Sequence, residues 1–322
     1  MNFEEALVLV TQKMEEIRYP KQPARLYEPI TYLLAMKGKK IRPALTLLAC
    51  DLFKENVRDA IPAALAWEIF HNFTLMHDDL MDKAEIRRGQ PTVHKKWNEN
   101  TAILSGDAML ILSYKHLAKS PEEYLKILLD LFSTTAADIC EGQEYDIQYE
   151  TRLDVREEEY LNMIRLKTAV LLGACLKSGA IVGGADSKDQ DLLYDFGINL
   201  GIAFQIQDDL LDVYGEVSEF GKQIGGDILC NKKTYLLVSA LNGANENDKK
   251  ELLYWMNIHD QPATKIQAVT KCYNRLRVKE KAQNQMEDYY RKAIHALDEV
   301  GVASDKKLAL NDLAKELMNR KS

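Results

Sequence analysis

The amino-acid sequence predicts an all-α protein, folded as a bundle of ten or more helices. Strand-type alternation is scarce, whereas apolar residues recur at helical steps of three and four, as at Leu65, Ile69, Phe73 and Met76. Prolines fall where helices are expected to begin, at Pro43, Pro62, Pro121 and Pro262. Ser120, directly ahead of Pro121, is the expected N-cap of its helix.

Length and composition favour one large helical domain. No linker, low-complexity tract or repeat interrupts the 322 residues, so we expect a single domain over residues 1–322. A chain that is 46% hydrophobic can bury a sizeable core. The formal net charge of -7 argues against nucleic acid as a partner, because phosphate backbones bind basic surfaces. It leaves room for a small phosphorylated ligand held by a few local cations.

Cysteine usage and hydropathy bear on where the protein works. The five cysteines include no CxxC pair and are expected to be free thiols in a reducing compartment. Residues 1–16 lack the basic start and apolar block of a signal peptide. The longest uninterrupted apolar stretch, around residues 169–176, is too short to cross a bilayer. These features predict a cytoplasmic protein without a transmembrane segment.

A DDxxD motif follows the apolar stretch 69–76. Asp78 and Asp82 are four residues apart, so a helix places both on one face with Asp79 beside them. Carboxylates at this spacing repel one another, and magnesium, which prefers carboxylate, water and phosphate oxygens, would relieve that repulsion. One such motif alone is equally compatible with a solvated acidic helix face.

The surroundings of this motif favour the metal-binding interpretation. Arg87 and Arg88 follow shortly after Asp82. Their guanidinium groups could simply pair with the aspartates, or they could bind a diphosphate, because arginine matches phosphate oxygens with a planar fork.

The same spacing recurs at Asp208, Asp209 and Asp212, again after an apolar helical run. Two identical carboxylate patterns on two helices predict a clamp that holds one diphosphate through several magnesium ions. Gln205 lies one turn before Asp208 and could reach the same ligand. Lys222, Asp227 and Lys232 follow in and after a glycine-rich loop, which is also compatible with an ordinary surface turn carrying solvated lysines.

With these motifs the chain resembles the trans-isoprenyl diphosphate synthases, the family that includes farnesyl and geranylgeranyl diphosphate synthases. The resemblance runs from about Gly38 to about Thr234, and the C-terminal remainder fits only as generic helices. It implies the isoprenoid synthase fold, a helical bundle around a central cavity. It also implies that the two aspartate-rich motifs bind three magnesium ions and an allylic diphosphate, and that the protein is a homodimer.

The resemblance also implies residue roles. The residues implied for isopentenyl diphosphate are Lys39, Arg42, His71 and Arg88. Those implied for the allylic diphosphate are Arg87, Lys167, Thr168, Gln205, Lys222 and Lys232. The implied metal ligands are Asp78, Asp79, Asp82, Asp208, Asp209 and Asp212. Gln143 and Asp146 match a further element near the site, and Asn231 stands where glycine is frequent, a departure that removes no charge the chemistry needs.

The implied reaction joins isopentenyl diphosphate to an allylic diphosphate. The residues expected to carry catalysis, directly or through magnesium, are Asp78, Asp82, Lys167, Asp208 and Lys222. The alkene attacks the allylic cation left when the diphosphate departs, and the departed diphosphate takes the proton. No side-chain nucleophile is required, and the sequence carries no Ser/His/Asp triad signal.

Product length is expected to depend on the helix that precedes the first motif. Phe73 lies five residues before Asp78, about 7.5 Å deeper along a helix axis, and Phe70 lies almost one turn further. Rings at helical spacing are more often ordinary core. In the family, an aromatic at the position of Phe73 usually marks short products. We therefore expect geranylgeranyl diphosphate, with farnesyl diphosphate next.

Two other functions compete with this interpretation. A terpene cyclase shares helices and a first DDxxD motif, but it needs no cations for a second diphosphate, and its second metal motif has Asn/Ser/Glu character. A non-catalytic helical subunit of a heteromeric synthase predicts eroded acidic motifs, whereas both motifs here are intact.

Overall fold

The computed structural model describes residues 1–215 and 225–319. Its helices, in chain order, are α1 (Phe3–Glu16), α2 (Ala24–Ala35), α3 (Ile41–Asp51), α4 (Ile61–Met81), α5 (Val93–Lys96), α6 (Glu99–Leu117), α7 (Glu122–Thr151), α8 (Glu157–Ile164), α9 (Val170–Gly183), α10 (Ser187–Tyr214), α11 (Gly226–Leu229), α12 (Tyr235–Gly243), α13 (Glu246–Met256), α14 (Pro262–Arg275), α15 (Val278–Glu299) and α16 (Leu308–Asn319). This confirms the predicted all-α class with ten or more helices.

Four short elements were not predicted. A 3-10 turn, Val57–Ala60, precedes α4, and a π-helical segment, Arg165–Ala169, lies between α8 and α9. Two strands, β1 (Ile86–Arg87) and β2 (Gln90–Pro91), pair antiparallel. Strands of two residues are too short to give the alternation by which a strand is recognised in a sequence.

The prolines mark helix starts as predicted. Pro62 and Pro262 stand in the first turns of α4 and α14, where a missing backbone N–H costs no helical hydrogen bond. The expected N-cap at Ser120 is wrong. Helix α7 begins at Glu122, which puts Pro121 at the cap position, and the buried Ser120 hydroxyl has no hydrogen-bond partner within the described chain.

Contacts between Cα atoms divide the chain into two compact units. The first unit comprises Met1–Phe132, Ala174–Leu193 and Gly301–Leu310. The second comprises Ser133–Gly173, Tyr194–Val300 and Asn311–Ser322. The single domain predicted for residues 1–322 stays a prediction.

The first unit is built around α4, which packs against α3 and α6. One of its core clusters joins buried side chains of α2, α4, α5 and α6, including Ile30, Leu33, Ile69, Met76 and Met109. The indole of Trp67 donates a hydrogen bond to Ser178 Oγ at 2.9 Å. Burying this apolar face of α4 fixes the helix whose last turn carries the first acidic motif.

The second unit has its own core, formed around α8, α12, α14 and α15. Thr234 is the N-cap of α12, and its hydroxyl accepts a hydrogen bond from the N–H of Leu237 at 3.3 Å. The C-terminal half of α10 contributes the buried Ile206 and Leu210 to this core. The second acidic motif lies on that same part of α10.

One helical stretch, Glu157–Gly183, is long and apolar enough to cross a membrane by length and composition. In this structure 78% of its most apolar window is buried. A core helix of a globular protein passes the same test of length and composition.

Candidate active site

The first acidic motif occupies the last turn of α4. Asp78 is half-buried, Asp79 is buried with 3% of its surface exposed, and Asp82 is exposed directly after the helix end. The N–H of Asp82 donates to the carbonyl of Asp78 at 2.8 Å, so the last turn stays closed. The structure therefore places Asp78 and Asp82 one turn apart, as the spacing predicts.

The middle aspartate of this motif is held by a guanidinium group. Arg87 Nε donates to Asp79 Oδ2 at 2.7 Å. The other oxygen, Asp79 Oδ1, is buried and finds no partner among the described residues. Because an orphaned buried carboxylate oxygen is costly, a magnesium ion or a metal-bound water fits the chemistry of this donor set. Arg87, predicted to bind the allylic diphosphate, here neutralises Asp79.

A tight hairpin presents the neighbouring arginine. Between β1 and β2 the turn residues Arg88 and Gly89 have φ values of 52° and 75°. Two consecutive positive φ values are what a two-residue type I′ hairpin requires. The Arg88 guanidinium lies against Gly38, where a Cβ would stand 2.7 Å from Nη1. Glycine at position 38 therefore leaves room for this side chain.

A cationic cavity of about 340 Å³ lies within the first unit. It is lined by Lys37, Gly38, Lys39, Lys40, Ile41, Arg42, Glu68, His71 and Arg88. All four residues predicted for isopentenyl diphosphate line this one cavity. Their role in binding stays a prediction, but their shared location makes a single anionic ligand chemically reasonable.

The histidine of this cavity is bound to an arginine. Arg42 Nη1 and His71 Nε2 are 3.1 Å apart. Burial, together with the charges of Arg42, Arg88 and Arg87, holds the pKa of His71 well below its ordinary value. The imidazole is therefore neutral near pH 7 and accepts the hydrogen bond from Arg42, so it helps to orient that guanidinium.

A buried carboxyl group was missed by the sequence interpretation. Glu68 is 5% exposed and accepts a hydrogen bond from Asn72 Nδ2 at 3.1 Å. Burial raises the pKa of Glu68, while Arg42, the Asn72 hydrogen bond and Arg88 lower it. Glu68 places negative charge beside a cation cluster. Its position three residues before His71, on the same helix face, was the available signal.

An aromatic column lies on α4 below the first motif. The ring of Phe73 is 4.8 Å from His77 and 5.5 Å from Phe70, measured between centroids. Phe70 is 1% exposed and also contacts Phe132 at 5.2 Å. Phe70 is thus part of the core, whereas the partly buried Phe73 stands between that core and the motif.

The second acidic motif ends α10 and repeats the burial pattern of the first. Asp208 and Asp212 are half-buried, and Asp209 is 2% exposed. Asp209 Oδ2 accepts hydrogen bonds from the Tyr160 hydroxyl and from the N–H of Tyr235, the latter at 2.8 Å. Burial raises the pKa of Asp209 to about 6, although both hydrogen bonds lower it.

A backbone turn fixes the last aspartate of this motif. The N–H of Asp227 donates to Asp212 Oδ2 at 3.0 Å, and the N–H of Gly225 donates to the Asp212 carbonyl at 2.7 Å. Lys232 Nζ lies 3.7 Å from Asp227 Oδ1. The structure therefore brings Lys232 to the second motif through Asp227. Lys222, also predicted here, lies outside the described residues.

Gln205 and Lys167 also lie in the second unit. Gln205 Nε2 is 3.4 Å from Asp209 Oδ1, a long hydrogen bond. Lys167 Nζ pairs with Asp146 at 2.5 Å, which joins two of the predicted residues. Lys167 and Thr168 stand in the π-helical segment, and such segments are frequent at functional sites.

Comparisons with known proteins identify the family to which this chain is related. The sequence model of the polyprenyl synthetase family matches residues 23–276. A geranylgeranyl diphosphate synthase of Sulfolobus acidocaldarius is 38% identical over 285 residues, 87% of this chain and 86% of that protein. The crystal structure of a geranylgeranyl pyrophosphate synthase has a TM-score of 0.95 at 42% identity and covers 100% of both chains.

A third relative was crystallised with ligands. The polyprenyl synthase of Caulobacter crescentus CB15, crystallised with calcium and isoprenyl diphosphate, has a TM-score of 0.87 at 26% identity and covers 99% of this chain and 96% of that chain. These neighbours share the isoprenoid synthase fold that the resemblance implied. Both acidic motifs and the cationic cavity fall inside the matched span 23–276. The chain therefore belongs to the polyprenyl synthetase family.

Proposed function

We propose that this chain is a magnesium-dependent trans-prenyltransferase that joins isopentenyl diphosphate to an allylic diphosphate. Its products are short-chain linear isoprenyl diphosphates, geranylgeranyl first and farnesyl next. The observation that carries the proposal is the cationic cavity, because a terpene cyclase uses one diphosphate and has no use for a separate cationic site. Relatives named geranylgeranyl diphosphate synthase support the product class.

Six aspartates are proposed to hold the metal. They are Asp78, Asp79, Asp82, Asp208, Asp209 and Asp212, and three magnesium ions are expected. The middle residue of each motif is held by protein donors, and Asp82, exposed directly after α4, is proposed to offer an open carboxylate. When bound, magnesium would neutralise the charge of the departing diphosphate.

The allylic diphosphate is proposed to meet a set of fixed cations and donors. The set consists of Arg87, Lys167, Thr168, Gln205, Lys222 and Lys232. In this structure Lys167 and Arg87 are already paired with Asp146 and Asp79. A diphosphate would compete for these side chains, and their positive charge would stabilise the negative charge that develops on the leaving oxygen.

The second substrate is proposed to bind in the cationic cavity. Lys39, Arg42 and Arg88 would hold isopentenyl diphosphate there, and the neutral His71 would keep Arg42 oriented. Fixing the alkene beside the allylic carbon makes the reaction effectively unimolecular. The allylic C–O bond breaks as the diphosphate leaves, the alkene forms the new C–C bond, and the departed diphosphate takes the proton.

The protein is further proposed to be a cytoplasmic homodimer. Helix α6 exposes large apolar side chains on one face, with Ile103, Leu104 and Ile111 exposed by 46%, 60% and 60%. A second copy of the chain would cover this face. The five cysteines are free thiols, which suits a reducing compartment. A solution mass equal to one chain would overturn the dimer.

The test of the reaction is incubation with magnesium, isopentenyl diphosphate and a radiolabelled allylic primer. We expect longer linear diphosphates, with geranylgeranyl diphosphate as the main product, and no turnover in chelator. A cyclised hydrocarbon would favour a cyclase. Absence of any product from the purified protein would favour a non-catalytic subunit, and either result would overturn the proposal.

A further inference from the structure

The second acidic motif depends on a short backbone turn. Residues 225–232 contain the turn, the single helical turn α11 and Lys232. Two N–H groups of this segment, those of Gly225 and Asp227, bind the carbonyl and the carboxylate of Asp212. The N–H of Lys232 donates to the Asp227 carbonyl at 3.0 Å. A contact that fixes residues 225–232 therefore also fixes the positions of Asp212, Asp227 and Lys232.

Lys265 on α14 is the side chain that holds this segment. Its Nζ donates to Asn231 Oδ1 at 2.8 Å and to the Leu229 carbonyl at 3.3 Å. Leu229 ends α11, so its carbonyl has no intrahelical partner, and the ammonium group supplies one. The next residue, Ile266, packs against Gly225, where a Cβ would lie 2.8 Å from Ile266 Cγ1.

The bond to Asn231 fixes the backbone ahead of Lys232. Asn231 has a φ of 55°, in the left-handed region that asparagine tolerates better than most residues. Its amide nitrogen donates to the Met256 carbonyl at 2.8 Å while its oxygen accepts from Lys265. Lysine can only donate and a carbonyl can only accept, so both ends of the amide are assigned by their partners.

The burial of Lys265 points to a dedicated role. The residue is 2% exposed, and lysine is almost never fully buried unless paired. Its hydrogen-bond partners are two neutral oxygens, and within residues 1–215 and 225–319 no carboxylate forms an ion pair with it. Burial lowers the pKa of Lys265. Burying a charged group is costly unless it is hydrogen-bonded, so the two bonds to Asn231 and Leu229 are what keeps Lys265 in this position.

We infer that Lys265 is a positioning residue for the allylic half of the active site, acting through Leu229 and Asn231 on Asp212, Asp227 and Lys232. The inference rests on the proposed role of the second motif in binding a magnesium diphosphate. Lys265 lies beyond Thr234, in the part of the chain that the sequence interpretation treated as generic helices, and nothing in the motif pattern singles it out.

The test compares Lys265→Met with wild type. The substitution keeps length and leaves both acceptors unpaired, so we expect the allylic KM and the magnesium concentration for half-maximal activity to rise about tenfold. Calorimetry with magnesium and a thio-analogue of the allylic diphosphate, which does not ionise, should show the same loss of affinity. The KM for isopentenyl diphosphate should stay within about twofold of the wild-type value. The cationic cavity proposed to bind it is lined by residues other than Lys265 and residues 225–232.

Arg275→Met is the matched control. Arg275 lies on the same helix and binds Asp248 and Glu251, away from residues 225–232. It should lower Tm without changing either KM. If Lys265→Met behaves like Arg275→Met, or raises both KM values equally, Lys265 is only structural and the inference fails. If Lys265→Met does not fold, Lys265→Gln is measured in its place.

A double-mutant cycle separates the inference from the proposed function. Asn231→Gly removes the amide that Lys265 binds and keeps a residue suited to positive φ. In that background Lys265→Met should change the magnesium midpoint less than in wild type. Asp212→Asn and Lys232→Met are measured in parallel. If they leave allylic binding intact, the proposed function of the second motif fails and the inference with it. If they weaken binding while Lys265→Met does not, only the inference fails.

Discussion

At the residue scale, the aspartates within each acidic motif differ in how deeply they are buried. Asp79 and Asp209 are buried and hydrogen-bonded to protein donors, Arg87 in one case and Tyr160 with the Tyr235 backbone in the other. A buried carboxylate held this way cannot rotate freely, so it fixes the end of its helix. Asp82, by contrast, is exposed directly after the end of α4, where a cation can reach it.

Phe73 is the residue on which product length should depend. Its ring stands above Phe70 in the aromatic column, about 7.5 Å below Asp78 along the helix. Phe73→Ala should therefore let the chain grow further, and chromatography of the dephosphorylated products should show longer prenols. Thr74→Ala, on the adjacent position, should leave chain length unchanged. If Phe73→Ala gave the same products as wild type, the ring of Phe73 would not be what limits chain length.

His116 should make the stability of the protein fall in mild acid. It is 7% exposed, and burial, with Lys119 and Lys115 nearby, lowers its pKa to about 4. The folded pKa lies below the unfolded value of 6.5, so the unfolded state binds the proton first and stability is lost as pH falls from about 6.5 towards 4. His116→Gln should remove about 2 kcal/mol of the difference in unfolding free energy between pH 7 and pH 5.

Urea unfolding at the two pH values measures this difference. His259→Gln, at an exposed position, serves as the control and should keep the wild-type pH dependence. If His116→Gln left the pH dependence of the unfolding free energy unchanged, the pKa of His116 would not be lowered in the folded protein.

At the element scale, the π-helical segment Arg165–Ala169 decides where Lys167 and Thr168 stand. In a π segment each N–H bonds to the carbonyl five residues earlier instead of four, which shifts the following side chains. This segment approaches α7 closely at Gly142, where a Cβ would lie 2.7 Å from Lys167 Cα and closer still to its nitrogen. The approach also lets Lys167 reach Asp146 on α7.

Gly142→Ala should therefore displace the π segment. Because the clash is with backbone rather than a flexible chain end, we expect a loss of about 1–3 kcal/mol in stability. Magnesium-dependent affinity for the allylic thio-analogue should fall as well. Gly243→Ala is the control, since its Cβ would meet only the mobile end of Lys281. If both substitutions changed the affinity for the allylic thio-analogue equally, the π segment would not be what positions Lys167 and Thr168 for this ligand.

At the scale of the whole molecule, a net charge of -7 coexists with local cation clusters. The sequence predicted the all-α class and the helix starts because apolar periodicity and proline are local signals. The grouping of Lys39, Arg42, His71 and Arg88 came from the family resemblance and not from spacing; the four line one cavity, and their role in binding stays a prediction.

The remaining features depend on contacts between distant parts of the chain. Lys265 meets Asn231 and Tyr160 meets Asp209 only after α14 and α8 have packed. The π segment needs Gly142, more than twenty residues earlier. The turn at Arg88 and Gly89 was hidden because its strands have two residues each. None of these contacts and short elements produces a periodicity or motif that can be recognised in a single sequence.

The central proposal is that both acidic motifs bind one magnesium diphosphate. Calorimetry with magnesium and the allylic thio-analogue on Asp82→Asn, Asp212→Asn and the double variant tests it most directly. We predict that each single substitution lowers affinity roughly 10- to 100-fold and that the double variant loses little more, because both remove parts of one site. Additive losses in the double variant, or affinity that persists without magnesium, would contradict the account.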